Sequence, residues 1–95
     1  MRLSYSAEAV RDIYEAHIFG TFTFGATQAD KYIDRLRSTI DFLLEFPLIA
    51  RERPNTRPPV RLYPYIAHNI IYRLTDDELL VVRVLHHSAN WQALL

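Results

Sequence analysis

The residue pattern predicts an α+β domain: a short N-terminal strand, an antiparallel helix hairpin and a small, mostly antiparallel sheet, in the order β-α-α-β-β-β. Three observations predict it. Two helical stripes of apolar residues are joined by a short link, an arginine- and proline-rich stretch follows them, and two apolar, β-branched runs then flank the tetrapeptide Thr75-Asp76-Asp77-Glu78. An amphipathic hairpin must bury its stripe, and the sheet is what covers it.

The elements follow in chain order. Met1, Leu3 and Tyr5 alternate with Arg2 and Ser4, as in a half-buried strand. Ser6 can cap a helix whose first turn holds Glu8 at the positive end of the dipole. Val10, Ile13, Tyr14, His17 and Ile18 fall on one face of that helix, and Gly20 is expected to stop it. Gly20–Gly25, GTFTFG, then serves as the link. A second helix begins near Ala26, with Ala29, Ile33, Leu36, Ile40, Leu43 and Leu44 as its stripe, and ends at Phe46-Pro47.

Pro47 to Val60 is proline-rich and is expected to be loop. Val60–Tyr63 makes a short strand that Pro64 breaks, and Tyr65–Leu74 and Leu79–His87 make two longer ones. With Asp76-Asp77 at the tip of a tight hairpin, Arg83 opposes Ile70. His68, Tyr72, Arg83 and His87 then share one face, and Asn69, Ile71, Arg73, Val82, Val84 and His86 the other. Residues 88–95, SANWQALL, form a short helix or an apolar tail that packs back on the sheet or joins a binding surface; packing back is the expectation.

Ninety-five residues make one domain, residues 1–95, with a single core. A hydrophobic share of 49% against 23% charged excludes a disordered chain. No apolar run nears the roughly 18 residues of a membrane span, and no signal peptide precedes the first strand, so a soluble cytoplasmic protein is expected. There is no cysteine, which excludes disulfide frameworks and thiolate metal sites. His17, His68, His86 and His87 fall on different elements, so neither a metal site nor a cofactor is expected.

The net charge of zero conceals an asymmetry. Between Glu8 and Glu45 acids outnumber bases, whereas Arg51, Arg53, Arg57, Arg61 and Arg73 face only Glu52. Guanidinium groups favour planar contacts with carboxylate or phosphate, so this half suits a macromolecular partner. Arg83 has two readings, target contact or an ion pair with an acid of the hairpin. His86 and His87 supply acid–base chemistry, but neighbours on a strand point to opposite faces and are not expected to share a site.

The segments YSAEAVRDIYEA, LLEFP, the arginine loop and IIYRLTDDELLVVRVLHH, in this order and spacing, resemble the ParE/RelE superfamily of bacterial type II toxins. The pairing of IIYR with RVLHH across an acidic turn is most similar to the ParE branch. That resemblance implies a toxin of a toxin–antitoxin system, of the kind linked to plasmid stabilisation, which docks on DNA gyrase and stabilises its cleaved complex. It implies neutralisation by a cognate antitoxin in a hetero-oligomer, and no enzymatic activity.

The alternative branch cuts mRNA on the ribosome without a metal, and here would use Arg83, His86 and His87. In that branch an arginine stands three residues before the tyrosine that Tyr72 matches; this chain has Asn69 there. His87 matches a histidine that a tyrosine follows, but Ser88 takes the tyrosine's place. The lysines of some cutters are absent, though Arg51, Arg53 and Arg57 carry similar charge. These departures favour the gyrase branch; an inactive relic kept for antitoxin binding is a third class. Under the leading reading, Arg83, His86, His87, Trp91, Leu94 and Leu95 engage the target, and Arg51, Arg53, Arg57 and Arg61 touch phosphate or an acidic partner. Tyr14, Phe22, Phe24 and Tyr32 are the aromatic surface expected to receive the antitoxin.

Overall fold

The computed structural model describes residues 1–95. The elements are β1 (Arg2–Tyr5), α1 (Ala7–Phe24), α2 (Ala26–Glu45), β2 (Glu52–Arg53), β3 (Val60–Tyr65), β4 (His68–Leu74), β5 (Glu78–His86) and a 3-10 turn at Trp91–Leu94. The strands form one sheet in the order β1-β5-β4-β3-β2. β1 runs parallel to β5 and every other pair is antiparallel.

The helix hairpin lies on one face of this sheet. Ile13, Ile33, Leu36, Ile40 and Leu43 meet Ile70, Tyr72, Leu79, Val81 and Val84 in the main core. Leu36 is fully buried, so its truncation to alanine costs about 2–5 kcal/mol. Val60, Ile71 and Leu85 form a smaller cluster on the opposite face, covered by Leu62, Val82, Ala89 and Trp91. The tail therefore packs back on the sheet.

Several boundaries differ from the sequence expectation. Helix α1 passes through Gly20 and ends at Phe24. Gly20 is a contact point between the helices, since a Cβ there would meet the Ala29 Cβ at 3.4 Å. The chain turns instead at Gly25, whose φ of 90° suits glycine. Thr21, in the added turn, returns its hydroxyl to the His17 carbonyl at 2.8 Å. Strand β3 continues through Pro64 because β2 pairs only with Val60 and Arg61, which leaves an open edge where a missing N–H is tolerated. Tyr65 belongs to β3, and a two-residue turn, Ile66-Ala67, starts β4 at His68.

The β4–β5 hairpin follows the predicted register only near its tip. Leu74 faces Leu79, Arg73 faces Leu80 and Tyr72 faces Val81. A bulge then shifts the pairing, so that Arg83 faces Ile71, Val84 faces Ile70 and His86 faces His68. The expected face groups are corrected accordingly: Val84 joins Tyr72 in the main core, while Ile71 lies in the opposite cluster. His86 sits beside His68, and Arg83, which faces Ile71, no longer shares a face with His68.

Candidate functional site

The bulge has a structural partner. β1 ends at Tyr5, and beyond it the outer edge of β5 would have unpaired polar groups. The start of α1 supplies what is missing. The Ser6 N–H donates to the Val81 carbonyl at 2.9 Å, and its hydroxyl donates to the Val82 carbonyl at 2.6 Å. The same hydroxyl accepts from the Ala9 N–H, so one serine closes a sheet edge and caps a helix. One turn later the Asp12 carboxylate accepts the Val84 N–H at 3.0 Å.

Asp12 also holds Arg83 in a two-pronged pair, Nε to Oδ2 at 2.8 Å and a terminal nitrogen to Oδ1 at 3.0 Å. The other terminal nitrogen donates to the Leu94 carbonyl at 3.1 Å, tying down the tail. The hydrogen bonds that Arg83 donates to Asp12 push the Arg83 pKa further up, so the guanidinium stays charged. Of its two sequence readings, Arg83 adopts the ion pair with the hairpin. Leu94 and Leu95 remain partly exposed beside it, and the Trp91 ring lies against the small cluster.

The far end of β5 gathers imidazoles. The His86 and His87 rings lie 4.4 Å apart, and His68 and His86 lie 5.8 Å apart. This corrects the expected separation of His86 from His87. β5 ends at His86, and the His87 N–H turns back to the Ala67 carbonyl at 2.8 Å, so strand alternation no longer governs its ring. His68 Nδ1 is 2.7 Å from the Tyr32 hydroxyl, and burial, then the neighbouring His86 and His87, holds its pKa below the usual value. The tautomer of His68 sets which of the two donates, and the Tyr32 hydroxyl also reaches the Tyr65 carbonyl at 3.4 Å. Tyr32, expected on the antitoxin surface, is half-buried: it packs against Tyr65 and His68, accepts the Ala67 N–H at 3.2 Å and lines a cleft that Phe24 also borders. No three His, Asp or Glu side chains converge as metal ligands would.

The other three aromatic residues expected to receive the antitoxin stay in water. Phe22 is 88% exposed, and Tyr14 and Phe24 are also exposed. Tyr14 borders a groove between α1 and α2 floored by Val10, Ile13 and Ile33 and edged by Asp30 and Asp34. Phe24 borders a different cleft, between the hairpin tip and the β3–β4 turn, with Phe19, Tyr65 and Ile66 as its other apolar walls. Sequence reasoning missed Phe19 and Ile66. Phe19 lies off the core stripe of α1, which was the signal available; Ile66 carried none.

The loop arginines divide into two kinds. Arg61 donates to the Ala50 carbonyl at 2.6 Å and approaches Glu52 at 3.8 Å, which fastens the loop to β3. Tyr72 adds an anchor from below, its hydroxyl donating to the Pro47 carbonyl at 2.8 Å. Arg51 and Arg57 are exposed and make no ion pair, and Arg53 is half-buried with its Nε unpartnered.

With this geometry in place, known proteins supply a frame. The family model described as the ParE toxin of the type II toxin–antitoxin system parDE matches residues 3–91. Toxin ParE3 of Caulobacter vibrioides is 28% identical over 71 residues, spanning 75% of this chain and 71% of that protein. A solved structure of the chromosomal ParDE system from P. aeruginosa superposes with a TM-score of 0.79 at 18% identity, over 90% of this chain and 95% of that one. At that identity the superposition speaks for the fold.

Proposed function

We infer function from a premise now in place: the chain belongs to the ParE toxin family of type II toxin–antitoxin systems. On that premise it is a cytoplasmic toxin that inhibits DNA gyrase by binding, is held inactive by a cognate antitoxin, and performs no catalysis. The observation that carries the binding reading is the Asp12–Arg83 clamp. Metal-free RNA cleavage needs cations around the phosphorane as well as an acid and a base. The arginine on the strand that leads to the histidines is spent on Asp12 and the Leu94 carbonyl.

The target surface proposed is the end of β5 with its tail: His86, His87, Trp91, Leu94 and Leu95, with Arg83 holding the tail in place. Arg51 and Arg57 are the free cations for phosphate or acidic groups, with Arg53 and Arg61 shaping the loop that presents them. Tyr14, Phe22 and Phe24 are the exposed aromatic groups offered to the antitoxin.

One observation favours a second reading. His68, His86 and His87 form a continuous imidazole cluster, which is the acid–base half of a ribosome-dependent mRNA nuclease. Two assays on the purified protein separate the readings: gyrase supercoiling with detection of cleaved complexes, and cleavage of ribosome-bound mRNA. Trapped gyrase with intact mRNA is the expected result. Cut mRNA with unaffected gyrase would overturn it.

A further inference from the structure

Ile66 is in a conformation that its side chain opposes. It is the first central residue of the two-residue β3–β4 turn and has a φ of 48°. In turns where only the first central residue has positive φ, glycine normally fills that place. A β-branched residue there is a genuine outlier and stores strain.

The surroundings enforce the conformation. Tyr65 pairs with His68 on either side of the turn. The Ala67 N–H donates to the Tyr32 hydroxyl, and the Ala67 carbonyl accepts from the His87 N–H. None of these bonds uses the isoleucine side chain, which is 75% exposed. Glycine or asparagine would make the same turn with less strain, and a side chain so exposed adds little to the isolated fold. A contact made outside the monomer would account for keeping it.

That contact has a defined chemistry. Ile66 stands across the cleft from Phe19 and Phe24, both exposed, while Lys31 and Arg35 from α2 line the same cleft and no carboxylate does. The groove on the other side of the hairpin is mixed in charge, with Asp30, hydrogen-bonded to His17, and Asp34 on its rim beside Arg37. We propose that Ile66, Phe19 and Phe24 form a docking cleft for a segment of the antitoxin that inserts an apolar side chain and flanks it with carboxylates facing Lys31 and Arg35. The proposal rests on reading the chain as an antitoxin-bound toxin. It adds which cleft, which residues and which partner chemistry.

The experiment compares Ile66→Gly and Ile66→Asn with the unchanged protein in two measurements. Thermal melting of the free protein reports strain, and titration with the purified product of the reading frame adjacent to its gene reports affinity. The expected result is opposed: the melting midpoint rises while the affinity falls at least tenfold. Lys31→Glu combined with Arg35→Glu should weaken binding by a similar factor at low salt and by less at high salt. Phe22→Ala, outside the cleft, monitors the antitoxin reading independently.

Affinity unchanged in the Ile66 variants, with Phe22→Ala still weakening binding, overturns the cleft and leaves the function reading intact. No binding by the unchanged protein overturns both. A lowered midpoint overturns the strain argument. Loss of gyrase inhibition, or of self-association, with unchanged antitoxin affinity would assign the cleft to gyrase or to a second copy and overturn the proposal.

Discussion

The bulge in the middle of strand β5 and the strand's far end solve opposite problems. At the bulge, charged and polar groups are drawn into the structure and paired: the Ser6 hydroxyl with the Val82 carbonyl, Asp12 with Arg83 and the Val84 N–H, and Arg83 with the Leu94 carbonyl, at 2.6–3.1 Å. At the far end the structure leaves apolar side chains in water, brings imidazoles together and keeps an isoleucine in a strained turn. The bulge obeys the rules of folding. The far end breaks several at once, and such departures concentrate where a protein meets something else. Charge alone would have pointed to the wrong place, because the most conspicuous arginine is the one most fully committed to the fold.

The largest effect expected is at the bulge. Asp12→Ala leaves Arg83 without its anion and the Val84 N–H without an acceptor. With Asp12 only 9% and Arg83 20% exposed, a loss of about 2–3 kcal/mol in urea unfolding is expected, below the full range for a buried pair because solvent still reaches the guanidinium. A loss under about 0.5 kcal/mol, the range of ordinary surface changes, would break the contrast between the bulge and the far end.

Next in size is Trp91→Ala. The ring covers Val60, Ile71 and Leu85 from the open face of the sheet but stays half-exposed, so about 1–3 kcal/mol of unfolding free energy should be lost. The variant also tests the tail as target surface. At a temperature where it remains folded, gyrase inhibition should fall by at least tenfold. Full inhibition would confine the tail to a packing role.

A pH titration probes the histidine end. His68 has a folded pKa below 6.5, through burial first and then through His86 and His87, with Asp12 acting in the opposite sense. The unfolded chain therefore takes up the proton first as pH falls. Stability contributed by His68 is present above pH 6.5, declines as pH drops below it, and levels off once the folded imidazole also protonates. Melting midpoints between pH 7.5 and 5 should show this decline, and His68→Gln should flatten it. An equal slope in the variant would assign the pH dependence to other groups.

How much of this was legible in the sequence follows from what each feature needs. The stripe of α2, the Ser6 cap and the register beside Asp76-Asp77 follow from local periodicity and turn chemistry, and the structure has them; of the stripe expected on α1 only Ile13 is buried, while Val10, Tyr14 and Ile18 lie in water. The bulge between Ile71 and Tyr72 had no glycine to mark it. It shifted every pairing beyond it, which is why Val84 and His86 were placed on the wrong face. Gly20 carried the ordinary signature of a helix stop, yet close approach to Ala29 lets the helix continue. The Ile66-Ala67 turn contains none of the residues that mark turns. Its geometry is imposed by β3, β4 and Tyr32, and only the folded molecule shows it.

The smallest structural effect expected carries the sharpest functional test. Arg51→Ala and Arg57→Ala remove exposed guanidinium groups that make no ion pair, so unfolding free energy should change by no more than about 0.5 kcal/mol. Arg61→Ala, in the same loop, releases the Ala50 carbonyl and should cost about 1 kcal/mol. If the loop contacts phosphate, the double Arg51 and Arg57 variant should inhibit gyrase less at low salt and show a shallower salt dependence, since two fewer cations release counterions. Under that outcome the loop repeats the lesson of β5: the arginine held by the fold shapes the surface, and those left free do the binding. An unchanged salt slope would instead make Arg51 and Arg57 solvated charges, and confine target contact to the end of β5 and its tail.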